Sequence, residues 1–253
     1  PLPLYEGETL LETNPDQTQF TTRFTERSVR FIEQNKDRPF FLYLPHPLPH
    51  VPLAVSDKFK GKSGQGLYGD VMMEIDWSVG QIIGTVDRLG LDKNTLIIFT
   101  SDNGPWLNYG NHVGTTGGFR EGKGNTYEGG QRVPCLMRWK GTIPEGITCN
   151  KLVAGIDVLP TLAEIAQAPL PKKKIDGVSI LSLIKGNQDA NPRTSFYFYY
   201  RRNNLEAVTN GDWKLVFSHP VRTYEGFAPG NDGKPGAVNE NHYFEGGLYD
   251  LRR

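Results

Sequence analysis

Between residues 66 and 91, Val71, Met72, Ile75, Val79, Ile82, Ile83, Val86 and Leu89 recur at steps of three and four. That spacing predicts a long amphipathic helix, with Gly90 as a left-handed C-cap. A second helix is predicted over 17–36, where Phe20, Phe24, Phe31 and Ile32 share one face. Two short apolar runs, 39–44 and 96–99, lack alternation and predict strands buried on both faces. The order strand, helix, strand is the βαβ pattern of a parallel sheet with a right-handed crossover. A further strand is predicted over 133–139, and a helix over 155–166 with Asp157 as its cap and Pro160 in its first turn. Residues 1–15 form an extended segment broken by Glu6-Gly7, the pattern of a hairpin.

The pattern changes around Pro169-Leu170-Pro171-Lys172-Lys173-Lys174. Beyond it, the segments 196–200, 205–208, 213–217 and 247–251 are short and rich in aromatic and β-branched residues, and turn residues separate them. Asn210-Gly211 between two of them is the strongest hairpin signal in the chain. The predicted organisation is therefore an α/β domain over 1–170, with a mixed, largely parallel sheet flanked by helices. A small antiparallel α+β subdomain follows over 171–253. The three lysines at 172–174 read as a solvated loop.

Composition narrows the function classes. With 28 basic and 28 acidic residues the chain has no global field for nucleic acid or an anionic membrane. No apolar run approaches the ~20 residues of a membrane span. Residues 1–5 have neither the basic nor the apolar part of a signal peptide. Two cysteines, Cys135 and Cys149, exclude a disulfide scaffold. They are either one bridge or two unpaired buried thiols.

The candidate chemistry gathers around the strand at 96–99. It stops at Asp102-Asn103-Gly104, and the C-terminal lip of a central strand is where α/β sheets bind ligands. A long glycine-rich loop follows, carrying Trp106, Asn108, Tyr109, His112, Arg120 and the Gly-flanked Lys123. Asp102 and Asn103 offer one anionic and one neutral oxygen, a donor pair suited to a hard divalent cation. After the strand at 39–44, His46-Pro47-Leu48-Pro49-His50 cannot be helical. Its prolines instead hold two imidazoles on a rigid turn. Asp70, Glu74 and Asp76 on the long helix are read as packing or solvent-facing, and Asp157 as a cap rather than a catalytic acid.

The combination of Ser101-Asp102-Asn103-Gly104, Gly122-Lys123-Gly124-Asn125-Thr126-Tyr127-Glu128-Gly129-Gly130 and His46-Pro47-Leu48-Pro49-His50 resembles the C-terminal part of a type I sulfatase of the arylsulfatase group. The resemblance runs from residue 20 to 253. It implies the alkaline phosphatase-like fold and hydrolysis of sulfate esters on a small molecule or carbohydrate. It also implies one Ca2+, or Mg2+, held by Asp102 and Asn103. Asp102, His50 and Lys123 are the implied catalytic residues; His50 and Lys123 also touch the sulfate, and His46, His112 and Arg120 line the substrate. Relatives with two zinc ions carry a histidine where Asn103 stands, which points to one metal with Lys123 in place of the second. A single metal suits the monoanionic sulfate better than a phosphate. The family's formylglycine precursor, a Cys or Ser in C/S-x-P-S/A-R, and its paired aspartates do not occur in this sequence. The expectation is thus a chain inactive alone and prone to self-association through an uncovered sheet edge, from a periplasmic or secreted enzyme. A phosphatase or phosphodiesterase of the same superfamily, or a non-catalytic metal- or carbohydrate-binding relative, is the alternative.

Overall fold

The computed structural model describes residues 1–252. The chain divides into two compact units. The first comprises Pro1–Asp92, Tyr109–Gly114 and Pro229–Gly236. Its hairpin pairs β1 (Pro3–Glu6) with β2 (Thr9–Thr13) around Gly7, whose positive φ suits only glycine without strain. Arg23 pairs with Glu12, and Arg27 with Glu6, so the hairpin is tied to the first helix.

That helix, α1 (Phe20–Asn35), packs against α2 (Gly66–Arg88). Its buried face is Phe20, Thr21, Thr25, Ser28 and Ile32, while Phe24 and Phe31 are only half-buried. Small side chains let the helices approach closely, and the hydroxyls are satisfied locally: Thr25 Oγ1 donates to Thr21 O at 2.6 Å. Helix α2 ends as its sequence predicts, with Gly90 at φ 70° and Leu91 N–H closing onto Val86 O. Asp70 and Glu74, both buried, bond the preceding loop. Asp70 accepts from Gly61 N, Ser63 N and Ser63 Oγ, and Glu74 from Ser56 N and Thr22 Oγ1.

The second unit comprises Lys93–Asn108, Thr115–Ala228 and Ala237–Arg253. Strand β3 (Ile97–Thr100) pairs with β4 (Cys135–Arg138), Ile97 facing Arg138 and Thr100 facing Cys135. Between them comes the single turn α3 (Glu128–Gln131); α4 (Val158–Ile165) and α5 (Leu181–Ile184) follow. The next strands are β5 (Phe196–Tyr200), β6 (Asn204–Thr209), β7 (Trp213–Val216), β8 (His219–Thr223), β9 (Asn239–Phe244) and β10 (Gly247–Asp250). Four of them form an antiparallel sheet in the order β10-β7-β6-β5, with Asn210-Gly211 at the β6–β7 turn as predicted, and β8 pairs with β9. Their shared core is Tyr127, Ala207, Val216 and Val221, covered by Phe198, Phe244 and Tyr249.

Three sequence expectations change. The run 39–44 is extended but joins no ladder among the described residues, and Phe41 and Tyr43 are 71% and 76% exposed. An apolar run marks burial only where another strand supplies hydrogen bonds, and none does so here. For the same reason every pairing among the described strands is antiparallel, and the largely parallel sheet is not seen. Cys135 and Cys149 are neither bridged nor buried; both are free and exposed.

Candidate active site on the glycine-rich loop

The predicted lip is present in the second unit. β3 ends at Thr100, and Asp102 and Asn103 follow at once. Asp102 is exposed and makes no hydrogen bond or ion pair among the described residues. The Asn103 amide nitrogen donates to Gly104 O at 2.9 Å, which fixes the amide and leaves its oxygen as the available acceptor. Gly104 is required there. Its N–H donates to Gly130 O at 3.0 Å, and a Cβ on it would lie 1.8 Å from Gly129 O. The far end of the loop therefore folds directly against the strand lip.

The same stitching positions Lys123. Its N–H donates to Pro105 O at 2.8 Å, and its own carbonyl accepts from the Tyr224 hydroxyl. Lys123 Nζ stands 5.1 Å from the centre of the Trp106 ring and has no carboxylate partner among the described residues. Backbone bonds thus hold an ammonium and an exposed carboxylate on one doubled-back loop while both charges stay unneutralised. Such a loop can bind an anion and contribute ligands to a cation.

Beneath the loop, charges are paired. Glu128 at its end accepts from Lys214 Nζ at 2.8 Å, and that ammonium lies 4.0 Å from the Phe198 ring centre. Burial lowers the Lys214 pKa against the pull of Glu128. Glu121 accepts from Thr223 Oγ1 and from Tyr224 N at 2.9 Å. Glu206 Oε2 is 3.1 Å from His219 Nε2, and burial raises the Glu206 carboxyl. Glu121, Lys214, Thr223 and Tyr224 escaped the sequence reading because their partners lie 86 or more positions away. Only the Gly129-Gly130 pair hinted at close packing.

Arg120, expected at the substrate, is committed elsewhere. Its guanidinium donates to Glu225 at 2.9 Å and to Tyr249 OH at 2.8 Å, and it stacks 4.5 Å over Tyr127. Burial works against its charge, but Glu225 and the two tyrosines outweigh it. Arg120 braces the loop against the C-terminal strands.

The three candidate histidines, His46, His50 and His112, belong to the first unit. His50 is exposed on the proline-rich turn, whose Leu48–Pro49 and Val51–Pro52 bonds are cis. Its Nδ1 is 2.7 Å from Val51 O. A carbonyl only accepts, so Nδ1 carries the proton. His46 is half-buried with Nε2 3.3 Å from Ser78 Oγ, which lies 2.6 Å from Thr25 Oγ1. Burial lowers its pKa, with Glu74 pulling the other way. His46 therefore packs on α2. His112 is half-buried beside Gly233. Asp157 is neither a free acid nor a simple cap. Fully buried, it takes Arg193 on both oxygens and the N–H groups of Ala154 and Val178 at 2.9 Å each.

The model of the Sulfatase family matches residues 4–168, and that of the "N-sulphoglucosamine sulphohydrolase, C-terminal" family matches 119–225. The chain belongs to the sulfatase family. It is 44% identical to human arylsulfatase A over 188 residues, covering 73% of this chain and 37% of that protein. To human steryl-sulfatase it is 38% identical over 212 residues, 79% of this chain and 36% of that one. A crystal structure of the PsFucS1 sulfatase from Pseudoalteromonas sp. superposes with a TM-score of 0.83 at 26% identity, over 97% of this chain and 50% of that one. The chain thus spans between a third and a half of the length of these relatives. Its structural neighbours include sulfatases, of alkaline phosphatase-like fold. Among its described residues no helix is long and apolar enough to cross a membrane.

Proposed function

We propose that the complete protein hydrolyses sulfate esters and that this chain supplies the sulfate-holding and metal-ligating loop. The observation that carries the proposal is the Lys123 ammonium, held near Trp106 on a backbone-bonded loop and lacking a carboxylate partner among the described residues. An anionic ester supplies the missing counter-charge. Because the positive charge is already in place, it costs no reorganisation as charge develops on the sulfuryl oxygens.

Asp102 and Asn103 fit a divalent cation as part of a ligand set. Both oxygens are available and hard, suiting Ca2+ or Mg2+, but Ca2+ takes six to eight oxygens. No group of three or more His, Cys, Asp or Glu among the described residues completes such a set. When bound, the cation polarises a sulfate oxygen. No C/S-x-P-S/A-R sequence occurs here, so the nucleophilic step is assigned to no residue of this chain, which alone is expected to be inactive. His50, whose Nδ1–H donates to Val51 O, would pass a proton to the leaving oxygen from Nε2 in its imidazolium form, returning to the neutral Nδ1–H ring. A two-zinc phosphatase reading is disfavoured by Asn103 where a metal-binding imidazole would be needed.

A leaving-group series tests the assignment. In the complete enzyme, His50→Ala should impair hydrolysis of alkyl or sugar sulfates about 100-fold more than that of aryl sulfates with acidic phenols, which need little proton donation. An equal loss across the series moves the acid role to another residue.

A further inference from the structure

A groove of about 610 Å³ opens in the second unit beside the loop, lined in part by Gly124, Tyr200, Arg201, Arg202, Arg222 and Glu240. It reaches the backbone next to Lys123. A Cβ on Gly124 would lie 2.6 Å from Arg222 Nη1, so the Arg222 guanidinium rests directly on that peptide. Three arginines line the groove with one carboxylate, and two of them pair with it. Glu240 accepts from Arg222 Nε at 3.0 Å and pairs with Arg201, whose Nη1 also donates to Glu240 O at 2.7 Å. Glu240 thus orients two guanidinium groups and neutralises one charge between them. Arg202 makes no ion pair among the described residues and is exposed.

The turn that presents these groups is unusual. Arg201, Arg202 and Asn203 all have positive φ, at 25°, 58° and 63°. Left-handed backbone is disfavoured for a long side chain, and two consecutive arginines there are held against that cost by a defined turn. Tyr200, 40% exposed, adds an aromatic wall. Planar guanidinium forks match the two-oxygen edge of a carboxylate or sulfate, and an aromatic beside them suits the apolar face of a sugar ring.

We propose that this groove is a second anion subsite, which takes a carboxylate or sulfate on a neighbouring sugar of an acidic oligosaccharide whose reacting ester is held at Lys123. The substrate class of the proposed activity is then a polyanionic saccharide rather than an isolated aryl or sterol sulfate. The inference rests on the proposed sulfatase function for the reacting ester, but the groove can be examined without it.

The test is a calorimetric titration of the 253-residue chain with three tetrasaccharides: unsulfated hyaluronan, bearing carboxylates only; a carrageenan fragment, bearing sulfates only; and neutral cellotetraose. Parent protein is compared with Arg202→Asn, because asparagine accepts left-handed backbone and removes the guanidinium. Binding of either anionic probe, at least about 5-fold weaker in Arg202→Asn and weakened by salt, supports the subsite and identifies its anion. Equal binding of cellotetraose, failure of both anionic probes, or binding that Arg202→Asn leaves unchanged overturns it. The hyaluronan arm contains no sulfate ester, so binding seen there, and its loss in Arg202→Asn, reports on the groove alone. The proposed function stands or falls separately, on sulfate release by the complete enzyme.

Discussion

Lys123 and Lys214 lie in the same unit, each near an aromatic ring, and they are used in opposite ways. Lys214 is 1% exposed, bonded to Glu128 and lowered in pKa by burial. Lys123 is half-exposed, secured through its backbone, and has no anionic partner among the described residues. Asp157 and Asp102 repeat the contrast: one is fully buried and saturated by Arg193 and two N–H groups, the other exposed and unbonded. Buried charges that satisfy one another specify the scaffold. Charges that the backbone fixes but leaves unpaired are the ones with chemistry to offer.

The sharpest way to break that contrast is to remove each aspartate in turn. Asp157→Ala leaves the Arg193 guanidinium buried without its partner and should cost about 3–5 kcal/mol of folding stability. Asp102→Ala, on the exposed lip, should change stability by no more than about 0.5 kcal/mol. Denaturant melts of the two variants decide it. Equal losses would mean that Asp102 is structural.

Acid sharpens the same difference. Burial raises the Asp157 carboxyl, but Arg193 and the N–H groups of Val178 and Ala154 outweigh it and hold the group below its ordinary range. A depressed carboxylate contributes stability that is fully present above the unfolded pKa of about 3.9 and is lost as pH falls through the folded value. Asp157→Asn should therefore flatten the fall in stability below about pH 4. Glu206, raised by burial, acts with the opposite sign: its contribution declines as pH rises above the ordinary glutamate range. An unchanged acid limb in Asp157→Asn would contradict the pairing.

How much of this the sequence disclosed follows from the range of the interactions. Helix α2, its Gly90 cap and the Asn210-Gly211 turn are local, decided within a few residues, and were legible. So was the lip at Asp102, because a strand end and a glycine loop are contiguous signals. Residues 39–44 misled because an apolar run does not show whether a neighbouring strand exists to pair with it. Arg120 read as a substrate contact because nothing local shows that Glu225 and Tyr249 engage it from more than 100 residues away. Asp157 was correctly set aside as an acid, yet its true partner, Arg193, is 36 positions distant.

Metal affinity gives the smallest effect. With Asp102 and Asn103 as its only recognisable ligands, the chain should bind Ca2+ no more tightly than about 1 mM, the weak end of the protein range. A micromolar site by calorimetry would show that other residues of this chain complete the shell.

The central claim, that Lys123 is an anion-holding group rather than a second Lys214, is tested most directly by sulfate release from an aryl sulfate in the complete enzyme carrying Lys123→Ala. Loss of one fixed charge at the developing oxyanion should lower kcat/KM by about 100- to 1000-fold, while the melting temperature stays at the parent value. Activity within a few-fold of the parent, or a loss matched by unfolding, would place Lys123 with the buried structural charges and contradict the account.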